Sequence, residues 1–419
     1  MGSMAAVGRR SRLTTPSSAT HMIKLKDTMQ DSSSLIRDLN SITNYGFTND
    51  GERMKALAAA YALVARLETP WEFVARLCMG QPALGAALKA AMDLKLFETW
   101  HEQGNAEATA DELASTVSCD PELLIRLLRH LAANHILEEP SIGLFKQTAL
   151  STSFLQPVFG EWIHHLYDAT LPCFFKMPEY LGQTGYKNPI DPKDGVFQFA
   201  KGWKDDMFNY YESHPREGES FNHVMGGVMA QQGGWLDIFP SETLLEASAK
   251  ELETPLLVDV GGNIGHDIER FRQGHPETAP RLYLEDRPEV LERATCGELI
   301  NKIGYDFFTP QPIKGARTYY MHGVLHDWSD EPARKILEMQ RKALVPGFSN
   351  LLVHDHIAPR ALAHPHTTAY DLTMMVMVAG KERTEEHWRK LLKSAGYAVK
   401  RIWTSLLTVQ GIIEAEVRE

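Results

Sequence analysis

The sequence predicts a two-part α/β protein: a helical winged-helix domain followed by a Rossmann-like, doubly wound and mostly parallel sheet. Three observations carry this. From Pro255 onward, apolar strand segments alternate with amphipathic helices, the pattern of a parallel sheet covered on both faces. The first of those strands runs into a glycine turn, Asp259 to Gly265, and the next ends in an acid, Asp286. Upstream, residues 70–155 read as helix, helix, helix, hairpin.

Composition bounds what such a chain does. Hydrophobic residues at 43% and charged residues at 23% describe a globular protein. A length of 419 residues allows two or three domains. With 43 basic against 54 acidic residues, the net charge of −11 disfavours binding to phosphate backbones, so no nucleic-acid partner is expected. The four cysteines, Cys78, Cys119, Cys173 and Cys296, show no paired spacing, which fits a reducing, cytoplasmic setting rather than a disulfide framework. No apolar run reaches the roughly 18 residues of a membrane span, so no membrane partner is expected.

The expected boundaries are a flexible tail at 1–34, a winged-helix domain at 35–155 and a catalytic domain at 156–419. The tail is basic and rich in Ser and Thr. A transit peptide has that composition, but a plain flexible tail is the preferred reading. In the helical domain, Leu84, Leu88, Ala91 and Leu94 recur at helical spacing. Thr109 and Glu112 form a capping box for the next helix. Asp120 caps a third, with Pro121 at its first position and a stripe of Leu123, Leu124, Leu127, Leu128 and Leu131. Strands "ILEE" and "LFKQT" then pair across a turn at Ser141–Gly143. The third helix mixes Arg126, Arg129 and His130 with Asp120 and Glu122, which is no basic stripe, so an apolar face buried against a partner chain is the better reading. The aromatics of 156–245 serve core packing and the wall of an apolar pocket.

In the second domain the strands are "LLVDVGG", "RLYLED", "ARTYYMHGVL" and "NLLVHDHI", with the hairpin "RIWTSLLTVQGIIEAEV" as a late antiparallel addition. Glycines at the end of the first strand let backbone amides approach a ligand, and Asp286 is placed to accept both hydroxyls of a ribose. That pairing points to an adenosine-containing cofactor. The spacing Asp-x-Gly-x-x-x-Gly fits S-adenosyl-L-methionine better than a dinucleotide, because no third glycine closes onto the helix.

With "YYMHGVLHDWSDEPARKILEMQRKAL", "DLTMMVMVAGKERTEEHWRKLLKSAGY" and "LEDRPEV" added in this order, the chain from about residue 60 onward resembles the small-molecule O-methyltransferases of the caffeic-acid type. That family uses S-adenosylmethionine, needs no metal and is commonly a homodimer interlocked through its first domain. The resemblance implies His326 as general base, for which an imidazole near its ordinary pKa of about 6.5 is suited. It implies Asp355 and Glu382 as the carboxylates that orient the base, with Asp355 one methylene shorter than the usual Glu. For the cofactor it implies Gly261, Asp286 and Arg287, with Asp306 and Phe307 flanking the adenine. For a flat acceptor it implies Met225 and Met374, although Met374 reads equally well as core. His165 is a further candidate for the acceptor pocket, against a surface position as the default for His164–His165. Asn263 and His322 depart from the family pattern.

"HDH" at 354–356 raises a metal site. On a strand His354 and His356 face one side and Asp355 the other, so these three do not chelate together, and no metal is expected. Trp328 either packs on the cofactor or anchors the next helix. The leading expectation is methyl transfer to a hydroxyl of a planar, apolar secondary metabolite. A second is the pericyclase class of the same fold, which binds the cofactor without transferring its methyl. A third is a non-catalytic winged-helix regulator, disfavoured by the acidic charge.

Overall fold

Capping chemistry starts the helices of the first domain where the sequence places them. In the computed structural model the Thr109 N–H donates to the Glu112 carboxylate at 2.7 Å, and the Glu112 N–H returns a bond to the Thr109 hydroxyl, opening Ala110–Val117. Asp120 caps Pro121–Ala133. The structure describes residues 32–43, 45–231, 234–248, 253–361, 364–404 and 410–418. The expected tail therefore lies almost wholly outside the described residues, and a helix, Ser32–Asn40, begins within its last positions.

The chain divides into units Met1–Leu67 and Glu68–Glu419. The first contains Ser32–Asn40 and Asp50–Leu67, and the latter leaves Leu57, Tyr61 and Val64 exposed. The second unit holds the helical core and the sheet.

Two apolar stripes are narrower than expected. Leu124, Leu128 and Leu131 are buried, whereas Leu123 is 48% exposed and Leu127 packs only at the edge. Positions 124, 128 and 131 share one face, and a residue one step back is rotated by about 100°. Helix Gln81–Asp93 stops before Leu94 can continue its stripe, because Lys95 takes a left-handed φ of 53° and redirects the chain into Leu96–Glu102. That second helix buries Leu96, Phe97 and Trp100. The wing is a three-stranded sheet. Strand β1 (Ala108–Thr109) adds to the hairpin of β2 (Leu137–Ser141) and β3 (Leu144–Gln147). Two residues are too short to show periodicity, so β1 was not expected.

The main sheet is built from β4 (Leu257–Val260), β5 (Leu282–Asp286), β6 (Asn301–Gly304), β7 (Thr318–His322), β8 (Asn350–Ala358), β10 (Tyr397–Thr404) and β11 (Gln410–Val417), with β9 (Arg383–Thr384) attached to β8. Its order is β10-β11-β8-β7-β4-β5-β6. Strands β6 to β8 are parallel, and β11 enters antiparallel between β8 and β10, the late addition read from the sequence. The short β6 was not expected. Alternate residues feed two cores: Val258, Tyr319, Leu351 and Val353 pack with Trp388, while Leu257, Tyr320 and Leu352 pack with Trp235 and Phe271. Chain order reverses at β4, with β5 on one side and β7 on the other. A crevice at the carboxyl ends of the strands is the consequence, and such crevices take ligands.

Candidate active site

The turn after β4 is built by backbone conformations that few residues adopt. Gly261, Asn263 and Gly265 have φ of 70°, 54° and 91°. Asn is among the non-glycine residues that tolerate this region, which explains how Asn263 replaces a glycine here. At Gly262 a Cβ would come 2.5 Å from the Asp259 carboxyl carbon and 2.6 Å from Leu284. The turn hangs on β5: the Gly261 and Gly262 N–H groups donate to the Glu285 carbonyl at 2.8 and 3.1 Å. Asp286 accepts from the Asn263 N–H through Oδ2 and from the Arg287 N–H through Oδ1, both at 2.8 Å. Burial raises the Asp286 pKa, and these two donors pull against it.

A cavity of ≈ 240 Å³ opens at this turn, lined by Met225, Gly261, Asn263, His266, Asp267 and His322 among others. Met225, read as an acceptor contact, and Gly261, read as a cofactor contact, both line this one cavity. His322 is held by Asp267, with Nδ1 2.6 Å from Oδ2, and its ring stacks on His354 at 3.8 Å. Phe307 borders the turn, 3.7 Å from where a Gly261 Cβ would lie. Asp306 instead borders a second cavity with Phe308 and Trp328. Trp328 packs edge-on to Phe308 at 4.8 Å. The Arg287 side chain points to Glu212 and Glu289, at 2.7 and 3.2 Å.

His326 sits in the short helical turn Leu325–Asp327 beyond β7. Its Nδ1 is 2.9 Å from Glu382 Oε1, within hydrogen-bond reach, and 3.8 Å from Asp355 Oδ1, outside it. Nε2 lies 3.5 Å from Asp327 Oδ1. Burial alone would lower the His326 pKa, but the charges of Glu382, Asp355 and Asp327 outweigh it and raise it to about 10. Burial would likewise raise Glu382, but the imidazolium and its hydrogen bonds hold that carboxylate well below the usual range. Asp355 and Asp327 are pushed up to about 6, chiefly by burial.

Arg383, which the sequence reading did not single out, and His356, which it weighed only as a metal ligand, build this corner. Arg383, fully buried, donates to the Leu325 carbonyl at 2.8 Å and the Trp328 carbonyl at 2.6 Å. It also donates to Asp330 at 3.1 Å and lies over the Trp388 ring at 5.0 Å. It clamps both ends of the segment that carries His326. His356 Nδ1 lies 3.2 Å from Glu382 Oε1. The "HDH" motif signalled His356, but strand alternation directed attention within the motif. In the structure His354 goes to His322, while Asp355 and His356 both approach the His326–Glu382 pair. The reason is local: β9 pairs with β8 through Ile357–Arg383, which sets Glu382 beside the end of β8. Gly380 allows the approach, since a Cβ there would run into the His326 carbonyl oxygen.

His165 is buried, not on the surface. It packs against Tyr211 and Phe221 with ring centroids 6.0 and 5.9 Å apart, and burial lowers its pKa to about 4. The surface default fails because the next helical face packs on the aromatic cluster. Met374 packs on the apolar cluster of Cys173, Phe197 and Tyr211. The four cysteines are free. Among the described residues no helix is long and apolar enough to cross a membrane.

Residues 76–157 match the model of the O-methyltransferase dimerisation domain, and residues 189–398 that of the O-methyltransferase domain. The chain is 72% identical over 384 residues to O-methyltransferase mfmE of Annulohypoxylon moriforme, covering 92% of this chain and 95% of that protein. Among solved structures it is similar to one described as a pericyclic reaction enzyme (26% identical, TM-score 0.84, 93% of this chain and 100% of that one). It is also similar to LepI in complex with SAM (26% identical, TM-score 0.82, 96% of this chain and 100% of that one). On the family models, the high identity and the turn geometry together, the chain belongs to the S-adenosylmethionine-dependent O-methyltransferase family.

Proposed function

We propose that the protein methylates a hydroxyl of a planar, apolar secondary metabolite, with His326 as the general base. The observation that carries this is the 2.9 Å contact between His326 Nδ1 and Glu382 Oε1. A carboxylate on Nδ1 keeps the ring proton there and leaves the Nε2 lone pair for the acceptor hydroxyl. Glu382 also stabilises the imidazolium that forms. Asp355 contributes charge without a hydrogen bond. The left-handed glycine turn, Asp286 and the ≈ 240 Å³ cavity fit an adenosyl cofactor, with Gly261 and Asp286 holding it and Phe307 bordering it. When bound, S-adenosylmethionine supplies an electrophilic methyl on a cationic sulfur, and that positive charge opposes protonation of the imidazole. Met225, Met374 and His165 are assigned to the acceptor side, where apolar contact orients a flat ring. The rate gain comes mainly from holding the acceptor oxygen in line. Arg287, turned to Glu212, is assigned to the rim of the cofactor site, and Asp306 to its outer edge.

The same reading divides the chain into a tail at 1–34, a dimerisation domain at 35–155 and a catalytic domain at 156–419. It describes a cytoplasmic homodimer that binds a small molecule and no nucleic acid. The dimerisation-domain match and the free cysteines support it. A second reading is favoured by one finding, the similarity to a pericyclic reaction enzyme. There the cofactor would be electrostatic and no methyl would move.

Expression in a fungal host that makes the candidate intermediate separates the two. A product heavier by one CH2, lost in His326→Ala, supports methyl transfer. A product of unchanged mass, or lighter by water, overturns it.

A further inference from the structure

Two imidazoles and a carboxylate crowd around one oxygen at the end of β8. Glu382 Oε1 lies 2.9 Å from His326 Nδ1 and 3.2 Å from His356 Nδ1, and one ligand atom from each residue lies within 4.8 Å of the others. Nitrogen, nitrogen and oxygen are the donors of three-ligand zinc sites. Buried polar atoms are normally hydrogen-bonded. Here Glu382 Oε2, His356 Nδ1 and both oxygens of Asp355 are buried without a hydrogen-bond partner among the described residues. A cation would satisfy that excess of acceptors. A tetrahedral ion with bonds of about 2.0–2.2 Å holds its ligands about 3.4 Å apart. The two nitrogen–oxygen contacts of 2.9 and 3.2 Å are already near that length, and side-chain rotation adjusts the rest.

We propose that His326, His356 and Glu382 form a divalent-cation site of the zinc class, and that filling it switches the base off. The argument is one of tautomers. In the working state Glu382 accepts the Nδ1 proton of His326, and Nε2 carries the lone pair. A metal bound to Nδ1 takes that nitrogen's lone pair. The Nδ1 proton leaves, to Nε2 of the same ring or, from the imidazolium, to solvent. The ring then holds its only proton on Nε2, beside Asp327, and accepts no other. The off-switch rests on the reading of His326 as base, whereas the site itself does not.

The test uses the full chain stripped of metal with a chelator. Calorimetric titration with zinc alone is expected to show one site that weakens at least about 100-fold in His356→Leu and in Glu382→Gln. The site is expected to survive in a His364→Ala, His366→Ala double variant, which removes a histidine pair outside the site, with ring centroids 4.7 Å apart. Identical zinc binding in wild type and His356→Leu would overturn the site, as would loss of binding in the double variant. If the two site variants do not fold, cobalt added to wild type decides: visible bands of a low-coordinate nitrogen–oxygen site support the proposal, and their absence overturns it. Zinc is expected to inhibit methyl transfer at the concentration that fills the site. Binding without inhibition would overturn the off-switch and leave the site standing.

Discussion

Glu382 presents Oε1 to Nδ1 of His326 at 2.9 Å from a position 56 residues later in the chain. The other candidate carboxylate, Asp355, stops at 3.8 Å. The two acids are therefore not equivalent. One is within hydrogen-bond reach of the imidazole, and the other only adds negative potential.

Glu382→Gln should lower kcat by about 100-fold or more, because the amide no longer demands a proton on Nδ1. Asp355→Asn should cost less than about 10-fold, since no hydrogen bond is lost. Affinity for S-adenosylhomocysteine, measured by calorimetry, should stay unchanged in both. Equal losses of kcat in the two variants would contradict the unequal roles.

The pH dependence follows from the same pair. A base works unprotonated, so a His326 pKa raised to about 10 by Glu382, Asp355 and Asp327 makes the rate climb with pH. Removing the Glu382 charge should move that acid limb to lower pH while lowering its plateau. Stability has the opposite sign for the histidine. Its contribution is complete below the ordinary value of 6.5 and is lost as pH rises through about 10. Glu382, depressed from 4.5, contributes above that value and loses its contribution as pH falls through its lower folded pKa. Thermal midpoints of wild type minus Glu382→Gln should thus differ most between about pH 5 and pH 6.5 and converge as pH rises towards 10. A flat difference across pH would refute the coupling.

Asp286→Ala removes the acceptor of the Asn263 and Arg287 N–H groups, and with it the brace that joins the glycine turn to β5. Loss of a charged hydrogen-bond partner is worth about 1.5–3 kcal/mol. The dissociation constant for S-adenosylhomocysteine should rise roughly 10- to 100-fold. Calorimetry reads this directly, and an unchanged constant would remove Asp286 from the cofactor site.

Arg383→Lys keeps the charge but not the planar fork that reaches Leu325, Trp328 and Asp330 together. Unfolding free energy should fall by about 1.5–3 kcal/mol in urea titration. The turnover number should fall as well, with less effect on KM, because the clamped carbonyls flank His326. A loss of stability with kcat intact would make Arg383 purely structural.

Much of this was legible along the chain. The capping box at Thr109–Glu112, the Asp120 cap and the glycine turn depend on neighbours within a few residues, and they appear where local chemistry puts them. Where a reading needed the identity of the neighbouring face, it went astray. Leu123 and Leu127 look like Leu124 and Leu128 in the sequence, but only one helix face meets the core. His165 looks like a surface residue until Tyr211 and Phe221 cover it. His356 was read through strand alternation, which says nothing of what approaches the end of a strand.

By itself the sequence determined the order of elements, the turn that can admit an adenosyl group, and the presence of an imidazole after β7. These follow from periodicity and from the backbone preferences of Gly, Asn, Asp and Pro, which act locally. Only the tertiary structure decided which carboxylate holds that imidazole, which arginine clamps its segment and which second histidine shares the oxygen. Those contacts join residues tens of positions apart. They arise because β9 docks on the end of β8 and Gly380 lets the two backbones touch, and no local pattern encodes a distance across that gap.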